Sequence, residues 1–340
     1  MSRKFDIAVL GATGAVGETV LEILAERQFP VGKLFLLASK RSAGNSVTFK
    51  NKAIIIQEAD GFDFSTVQIC FCAVDAELAK KYAPIAAQAG CVVIDKSSHF
   101  RYDEDVPLVI PEVNPEAIEN YRERNIIATP NCSTIPLLVA LKPIYDAVGI
   151  ERINVATYQS VSGTGKPGVD ELSQQVTDLL NGKDVTPKVY PVQIAFNLIP
   201  HIDSFLDNGY TKEEMKIVWE SKKILNNPNI LINPTAVRVP VFYGHSEAVH
   251  IETRDKITAE AARQLLMESP GIIVIDEPED GGYPTPLTVA NREDAVFVGR
   301  IREDISHHLG LNLWVVADNI RKGAALNAVQ IAEILIRDYL

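Results

Sequence analysis

The chain has 340 residues, of which 46% are hydrophobic and 23% charged, and its formal net charge at pH 7 is −11. Such a composition is typical of a globular protein with two domains or one large α/β unit. No basic stretch exceeds a few residues, which argues against nucleic acid or an anionic membrane as a partner.

The sequence also argues against a secreted protein, a membrane protein and a zinc protein. No secretory signal is recognisable behind Met1, and no apolar run approaches the ~20 residues of a membrane span. The Cys and His residues show no zinc-like spacing. We therefore expect a cytoplasmic protein with reduced thiols and no metal site.

The chain opens with the pattern of a dinucleotide-binding unit. Residues 5–10 form a near-continuous apolar run that predicts a strand, the sequence GATGAVG follows, and a helix is expected to about Arg27. Gly11 permits a tight turn, Gly14 lets the backbone approach a pyrophosphate, and Gly17 lets the helix pack on the strand. The spacing is GxxGxxG and not GxGxxG, so a purely structural turn is the alternative.

The end of the second predicted strand, residues 34–38, indicates which dinucleotide is bound. An acidic residue there would bind the ribose 2′-hydroxyl of NAD. Here Ser39, Lys40, Arg41 and Ser42 follow the strand. These basic and hydroxyl side chains suit a 2′-phosphate, so NADP is preferred; a solvated basic loop is the alternative.

Two more βα units predict a parallel, doubly wound sheet, with strands at 68–74 and 91–94 and a helix at about 76–89. Arg101 leaves the second of these strands at its C-terminal end, where such sheets bind ligands. It is a candidate anion clamp, with an exposed loop arginine as the alternative.

Cys132 lies where a short apolar strand, residues 126–128, meets a predicted helix. Unpaired N–H groups and the positive end of the helix dipole favour a thiolate there, and a thiolate can attack a carbonyl. The alternative is a small buried cysteine. Burial is what we expect for Cys70, Cys72 and Cys91, which lie in apolar strand patterns.

The second half of the chain predicts a mixed α+β domain. Residues 236–242 and 247–253 are β-rich and are expected to form a hairpin or close turn around His245. Thr211 with Glu214 predicts a capping box, which opens a helix. Further elements are expected as a strand at 151–161, a helix at 169–180, strands at 272–275, 296–301 and 311–317, and a final amphipathic helix at about 324–340.

Glu213 and Lys216 lie three residues apart on the helix that the capping box opens, and therefore on one face. A surface ion pair is the simplest interpretation of these two residues taken alone. His250 has odd spacing from His245, so on a regular strand it would face the other way and be a packed or surface histidine.

Together these features resemble the aspartate-β-semialdehyde dehydrogenase family over essentially the whole chain. The segments that carry the resemblance are GATGAVG, SKRSAG, PNCST, YQSVSGTG, EEMK, RVPVFYGHSEAVHIET and DNIRKGAALNA, in family order. The resemblance implies an α/β protein with a doubly wound, Rossmann-like NADP-binding domain at 1–130, to which the helix at about 320–340 returns. It also implies a mixed α+β catalytic and dimerisation domain at 131–319, and a homodimer or a tetramer.

The implied reaction is the NADPH-dependent reductive dephosphorylation of L-aspartyl 4-phosphate to L-aspartate 4-semialdehyde and inorganic phosphate, through a cysteine thioester. The implied setting is the biosynthesis of lysine, threonine, methionine and diaminopimelate. By position in the family motifs, Cys132 is the nucleophile, His245 the general acid/base, and Gln159 orients the substrate or acyl intermediate. The residues expected to contact the cofactor are Gly11, Thr13, Gly14, Ala15, Val16, Gly17, Arg41, Ser42, Ser162, Gly163 and Asn319.

The substrate-binding residues that the resemblance implies have charges that fit the substrate. Arg238 would hold the α-carboxylate, Glu213 the α-ammonium, and Arg101 with Lys216 the phosphate. Aspartyl phosphate carries one group of each kind, so the charges match one for one. This match favours a site over a surface pair for Glu213 and Lys216.

One departure from the family pattern and two alternatives remain. The family commonly has a Ser-Ala-Gly type turn near the cofactor, whereas this chain has the sequence CAVD, which places Asp75 at a strand end. A related acyl-phosphate reductase of the N-acetyl-γ-glutamyl-phosphate type is the first alternative, but its substrate has no ammonium for Glu213. A non-catalytic paralogue is the second, and it would be expected to lose Cys132, Gln159, Arg238 or His245.

Overall fold

The computed structural model describes residues 3–340, which divide into two compact units. The first unit comprises the described residues of Met1–Asn131 together with Ala324–Leu340, and the second comprises Cys132–Gly323. Within residues 3–340, no helix combines the length and the apolar character needed to cross a membrane.

The elements follow in chain order. The strands are β1 (Phe5–Leu10), β2 (Val31–Ala38), β3 (Ser46–Phe49), β4 (Lys52–Glu58), β5 (Ile69–Cys72), β6 (Val92–Asp95), β7 (Ile126–Ala128), β8 (Ile150–Gln159), β9 (Leu231–Arg238), β10 (His245–Thr253), β11 (Ile272–Val274), β12 (Val296–Glu303) and β13 (Gly310–Ala317). The helices are α1 (Ala15–Glu26), α2 (Ala76–Gln88), α3 (Thr134–Val148), α4 (Lys166–Leu180), α5 (Lys212–Ile224), α6 (Ala259–Met267) and α7 (Leu326–Asp338).

The sheet of the first unit has the strand order β3-β4-β2-β1-β5-β6-β7. Its pairs are parallel except for β3 with β4. The apolar run of β1 is paired on both sides, with Leu10 opposite Leu37 of β2 and Cys72 of β5. The order of successive strands therefore reverses at β1, with β2 on one side of it and β5 on the other, and doubly wound sheets bind ligands at such a point. This confirms the predicted fold class.

The β3–β4 hairpin was not predicted. Its turn residues, Lys50 and Asn51, have positive φ angles of 46° and 66°. A two-residue hairpin turn of type I′ has positive φ at both positions, and its usual sequence signal is a glycine in the turn. Because the turn contains lysine and no glycine, the sequence gives no clear signal for this hairpin.

The C-terminal helix α7 packs in the core of the first unit and contacts α1. Arg27 donates to both carboxylate oxygens of Glu333 at 2.7 and 2.8 Å. Asn327 donates to the carbonyl of Val109 at 2.9 Å. The apolar face of α7 and these polar contacts explain why the last helix belongs to the first unit.

The sheet of the second unit is mixed, with the order β11-β12-β13-β10-β8-β9. The hairpin predicted around His245 is wrong, because β8 lies between β9 and β10 and pairs with both. The residues after Arg238 instead run along the end of β8, where Val239 donates to the carbonyl of Gln159 at 3.0 Å. The predicted strand at 247–253 lies within β10, but the predicted strand at 236–242 overlaps β9 only at residues 236–238. A β-rich composition carries no information about which strands are neighbours.

Strand β10 presents its odd-numbered residues to the covered face of this sheet. His245 and Glu247 are buried, whereas His250 lies on the other face, as its spacing predicted. There His250 Nδ1 is 3.2 Å from Asn154 Nδ2, and Nε2 is 2.8 Å from Asp304 Oδ2. His250 is a packed, hydrogen-bonded histidine of the sheet.

Candidate active site

Cys132 lies two residues before Thr134, the first residue of α3, next to the N-cap residue Ser133, and it is half-buried. Its Sγ lies 3.3 Å from His245 Nε2. Gly323 packs against it so closely that a Cβ at Gly323 would lie 3.1 Å from the Cβ of Cys132. The thiol is therefore held between a histidine and a glycine at the start of a helix.

His245 is 1% exposed and begins β10. Its Nδ1 lies 3.1 Å from the backbone nitrogen of Ser160, which donates to it. Burial and then the nearby Arg238 guanidinium lower the pKa of His245 to about 3, while the Glu213 carboxylate and the Gly244 carbonyl act in the opposite direction. The imidazole is therefore neutral near neutral pH.

A buried hydroxyl–amide cluster lies behind the imidazole. Ser160 Oγ is 3.2 Å from His245 Nδ1 and 3.0 Å from Ser162 Oγ. Both serine hydroxyls donate to Asn319 Oδ1, at 3.2 and 3.1 Å, and Gly244 N–H donates to the same oxygen at 3.0 Å. Ser162 and Asn319, which the resemblance assigned to the cofactor, thus also help to position His245.

Gln159 connects β8 to α5. Thr157 Oγ1 donates to Gln159 Oε1 at 2.9 Å, and Gln159 Nε2 donates to Glu213 Oε1 at 3.1 Å. The Thr157 hydroxyl therefore fixes which end of the amide points at Glu213. Gln159 and Glu213 are 1% and 5% exposed, so this contact lies in the interior of the unit.

Glu213 and Lys216 form an ion pair in which Glu213 is buried and Lys216 is partly buried, not the surface pair that the helix spacing alone would suggest. Lys216 Nζ lies 2.8 Å from Glu213 Oε2 and 2.8 Å from Asp203 Oδ2. Burial opposes the ammonium charge, but the two carboxylates raise the pKa of Lys216. The predicted capping box of Thr211 and Glu214 is confirmed and fixes the start of α5 beneath this pair.

Arg238 ends β9 with its guanidinium buried. Its Nη1 donates to the carbonyl of Ser160 at 2.7 Å. A Cβ at Gly163 would lie 2.8 Å from that Nη1 and 3.4 Å from His245 Cε1. Glycine at 163 is therefore needed for the arginine and the histidine to stay where they are.

In the first unit, the glycine turn after β1 borders a cavity of about 460 Å³. Gly11 has a φ of 84°, and a Cβ there would lie 2.6 Å from the Ala73 carbonyl oxygen. A Cβ at Gly17 would lie 2.2 Å from the Gly11 oxygen, so α1 can approach the turn only with glycine at that position. This close backbone cradle at a helix start fits a dinucleotide pyrophosphate.

Some of the residues predicted to contact the cofactor line this cavity, and others do not. Among the described residues it includes Gly11, Thr13 and Gly14, but not the α1 residues 15–17. Its other end is lined by Ser39 and Lys40, Asp60, Lys81 and Tyr82. Arg41 and Ser42 lie in the turn that follows these lining residues.

Arg101 and Asp75 also belong to the first unit. Arg101 is buried in the loop after β6, and its Nη2 donates to the Lys96 carbonyl at 2.8 Å. It is thus not the exposed loop arginine of the alternative interpretation. Asp75, the departure from the family pattern, lines the cavity and caps α2 by accepting from Leu78 N–H at 3.0 Å.

Sequence reasoning missed several neighbours of these groups. Ser160 lies in the family segment YQSVSGTG and Gly323 in DNIRKGAALNA. Both residues therefore belong to motifs that the sequence analysis had already recognised. Asp203 has no local signal, because its contact with Lys216 arises only when the loop before α5 folds back.

Comparisons with known proteins identify the family of this chain. Residues 6–121 match the family model described as "Semialdehyde dehydrogenase, NAD binding domain", and residues 141–322 match "Semialdehyde dehydrogenase, dimerisation domain". An aspartate-semialdehyde dehydrogenase from a Shewanella species is 62% identical over 339 residues, which covers 100% of both chains. The chain belongs to the aspartate-semialdehyde dehydrogenase family.

Solved structures of family members are similar over the full length. The crystal structure of aspartate semialdehyde dehydrogenase II from Vibrio cholerae, complexed with ASA, has a TM-score of 0.98 and 61% identity and covers 100% of each chain. The Candida albicans enzyme with NADP has a TM-score of 0.78 and 28% identity, with 98% of this chain and 99% of that one covered. The predicted family and fold are therefore confirmed.

Proposed function

We propose that the chain catalyses the reductive dephosphorylation of L-aspartyl 4-phosphate to L-aspartate 4-semialdehyde, as one step of amino-acid biosynthesis. The observation that carries the proposal is the contact of 3.3 Å between Cys132 Sγ and His245 Nε2 at the start of α3. The names of the full-length relatives, and the ASA in the Vibrio cholerae structure, support the same substrate.

Charged groups of the second unit support recognition of an amino acid. Arg238 is a guanidinium that can form two parallel hydrogen bonds to an α-carboxylate. Glu213 is the carboxylate for an α-ammonium, and Gln159, which donates to it, orients the acyl chain. Glu213 is the residue that favours aspartyl phosphate over an N-acetylated substrate, because an acetamide has no positive charge to offer it.

The chemistry then follows from Cys132. Its thiolate attacks the acyl phosphate, phosphate leaves, and a thioester remains on the sulfur. Nicotinamide, when bound, supplies the hydride that reduces this thioester. Backbone N–H groups at the start of α3 stabilise the negative charge that develops on the acyl oxygen.

For the cofactor we propose NADP. Gly11, Thr13 and Gly14 fit the pyrophosphate, and Lys40 and Arg41 supply positive charge after β2, where NAD enzymes place an acid. We assign Ala15, Val16 and Gly17 to the helix start behind the phosphates. Ser42 follows these two basic residues and is assigned with them to the 2′-phosphate. Ser162, Gly163 and Asn319 of the second unit are assigned to the cofactor by their positions in the family motifs.

For the phosphate we propose Arg101 and Lys216. The Lys216 ammonium already contacts Glu213 and Asp203, so it would bind phosphate while keeping contacts with these two carboxylates. Arg101 contributes a buried guanidinium, which suits phosphate geometry better than an ammonium does.

We further propose a cytoplasmic homodimer. The family model of the second half is a dimerisation domain. The sheet face opposite His245 carries partly exposed residues that include Tyr158, Ala248 and Trp314, and this face offers a surface for a second copy. The four free thiols suit a reducing compartment.

The test is an assay with purified protein. NADP reduction in the presence of aspartate semialdehyde should depend on added phosphate or its analogue arsenate. N-acetylglutamate semialdehyde should be a poor substrate. Faster turnover of the acetylated compound would assign the chain to the alternative reductase, and no turnover of either would leave the non-catalytic alternative.

A further inference from the structure

Residues 188–199, which we call the strap, carry no helix or strand and lie against α4. Two side chains of α4, Glu171 and Gln175, accept hydrogen bonds from backbone N–H groups of the strap. These N–H groups, with their distances to the accepting oxygen, belong to Lys188 (3.0 Å), Val189 (2.5 Å), Ile194 (3.0 Å) and Ala195 (3.1 Å). Gln175 Nε2 also donates to Glu171 Oε1 at 3.1 Å, so the two side chains hold each other. The strap is therefore fixed to α4 at two points.

The strap brings the Tyr190 hydroxyl to the turn formed by residues 161–164. This hydroxyl lies 3.0 Å from Thr164 Oγ1 and 3.4 Å from the carbonyl oxygen of Val161. A Cβ at Gly168 would lie 2.5 Å from the same hydroxyl, so the first turn of α4 leaves room for it only with glycine at that position. Tyr190 thus contacts both ends of the turn 161–164.

The far end of the strap reaches Arg238. The backbones of Ile199 and Arg238 exchange two hydrogen bonds, with N–O distances of 3.0 and 2.8 Å. Gly163 of the turn 161–164 approaches the guanidinium, because a Cβ there would lie 2.8 Å from Arg238 Nη1. The strap therefore contacts the Arg238 backbone directly and, through Tyr190, holds the turn that lies against the guanidinium.

The Tyr190 hydroxyl keeps its proton in these surroundings. Burial has the largest effect on the pKa of Tyr190 and raises it, and the Glu171 carboxylate acts in the same direction. The hydrogen bond with Thr164 and the positive charge of Arg238 lower it by less, so the pKa of Tyr190 lies above its usual range. A neutral phenol both donates and accepts a hydrogen bond, and it can therefore contact a hydroxyl and a carbonyl at once.

We propose, on the basis of the function proposed above, that Tyr190 is a positioning residue for Arg238, because it holds the turn 161–164 against the guanidinium that binds the substrate α-carboxylate. Two parallel hydrogen bonds to a carboxylate form only when the plane of the guanidinium is correctly oriented. Arg238 Nη1 already donates to the Ser160 carbonyl at 2.7 Å, so the side chain has little freedom to reorient towards a substrate. Its orientation has to be set in advance by the residues that pack against it.

The first test is the substitution Tyr190→Phe, which removes the hydroxyl and keeps the ring against the apolar cluster that includes Val161 and Leu172. The α-carboxylate does not react, so its contact with Arg238 contributes to substrate binding in the ground state and the transition state alike. We expect the KM for aspartate semialdehyde to rise about fivefold, equivalent to about 1 kcal/mol for one lost hydrogen bond. The kcat and the KM for phosphate should stay within about twofold of the wild-type values.

The matched control is Tyr210→Phe. It removes the tyrosine hydroxyl that donates to Asn233 Oδ1 at 2.8 Å, in the same unit. This variant should keep the wild-type KM for aspartate semialdehyde. An unchanged KM in Tyr190→Phe, or an equal rise in Tyr210→Phe, overturns the proposal.

The second test needs no turnover. Iodoacetate carries a carboxylate and iodoacetamide does not, so the ratio of their rates of Cys132 alkylation reports how well the site receives a carboxylate. Arg238→Gln gives the ratio without the guanidinium. Tyr190→Phe should lower the wild-type ratio towards that value by at least about twofold and keep the rate with iodoacetamide, whereas Tyr210→Phe should change neither.

The two possible failures can be told apart. A wild-type ratio in Tyr190→Phe contradicts the positioning role even in an enzyme that turns over aspartate semialdehyde. A wild-type protein without that turnover contradicts the proposed function instead, and the alkylation ratio then still tests whether Tyr190 orients Arg238.

Discussion

The two units place their cysteines in different surroundings. In the first unit Cys70 lies in β5 and Cys91 directly before β6, and burial raises the pKa of Cys70 to about 12 and that of Cys91 further. In the second unit Cys132 meets a histidine at the start of a helix, and the polar groups around it are linked to one another. The same residue type is inert in one unit and suited to covalent chemistry in the other, because its polar neighbours differ.

The largest expected effect separates these thiols directly. Cys132→Ser should lose turnover by several orders of magnitude while keeping the fold and cofactor binding, because a serine hydroxyl is hardly ionised near neutral pH. The matched control is Cys91→Ala, which removes a buried thiol from the first unit and should keep turnover. The measurement is kcat for both variants beside their melting temperatures.

Labelling provides the same comparison without mutation. A limiting alkylating agent should modify Cys132 first, with loss of activity in step, and aspartate semialdehyde should protect it. Peptide mapping against an activity time course gives the answer. Full activity in protein already modified at Cys132, or earlier labelling of Cys70 or Cys91, would contradict the contrast between the two units.

The sequence predicted only part of the fold and of the surroundings of these cysteines. Apolar runs located β1 and β5, and the family motifs pointed to Cys132 and His245, which the structure places 3.3 Å apart. Strand pairing was not accessible, since β8 separates β9 from β10 without leaving a local mark. The contact of Lys216 with Asp203 and the N–H that Ser160 directs at His245 depend on tertiary packing, so sequence patterns could not reveal them.

The next prediction compares one cation from each unit. Arg101→Ala and Lys216→Ala should mainly raise the KM for phosphate, each by an amount equivalent to about 2 kcal/mol for a lost charge-assisted contact. Lys216→Ala should also lower stability, because it leaves Glu213 and Asp203 without their shared cation.

The control for the second unit is Lys222→Ala, which removes a lysine from the far end of α5. Initial rates at varied phosphate should leave its KM unchanged. Unchanged phosphate dependence in both Arg101→Ala and Lys216→Ala would remove these residues from the proposed phosphate site.

The first unit should set the choice of cofactor. We predict that kcat/KM with NADP exceeds that with NAD by at least about tenfold, or about 1.4 kcal/mol. Lys40→Ala and Arg41→Ala should reduce this ratio, whereas Lys50→Ala in the β3–β4 turn should not. Equal efficiency of the wild-type protein with both cofactors would contradict the assignment.

The smallest effect concerns Glu247, a buried acid of the second unit that lies apart from the polar cluster. It is 1% exposed, and neither of its carboxylate oxygens accepts a hydrogen bond from any residue in 3–340. Burial raises its pKa well above the usual range. The folded state therefore keeps this proton at pH values where the unfolded chain has lost it.

The sign of the pH effect follows from that difference. Above the ordinary glutamate pKa the unfolded state binds fewer protons than the native state, so the free energy of unfolding falls as pH rises. Glu247→Gln removes this term and should stabilise the protein by on the order of 1 kcal/mol at about pH 8, with no gain near pH 4. Glu252→Gln, on the other face of β10, is the control, and equal melting shifts for both variants would contradict this account of Glu247.

The most direct test of the account is to capture the thioester itself. Protein mixed with aspartate semialdehyde and NADP, without phosphate, should form NADPH in an initial burst of about one equivalent per subunit and then slow sharply. Acid quenching and mass spectrometry should find the aspartyl group on the peptide that contains Cys132. The account predicts that adduct and its disappearance when phosphate is added. Rapid turnover in complete reaction mixtures with no acyl group on Cys132, or with the acyl group on another residue, would contradict it.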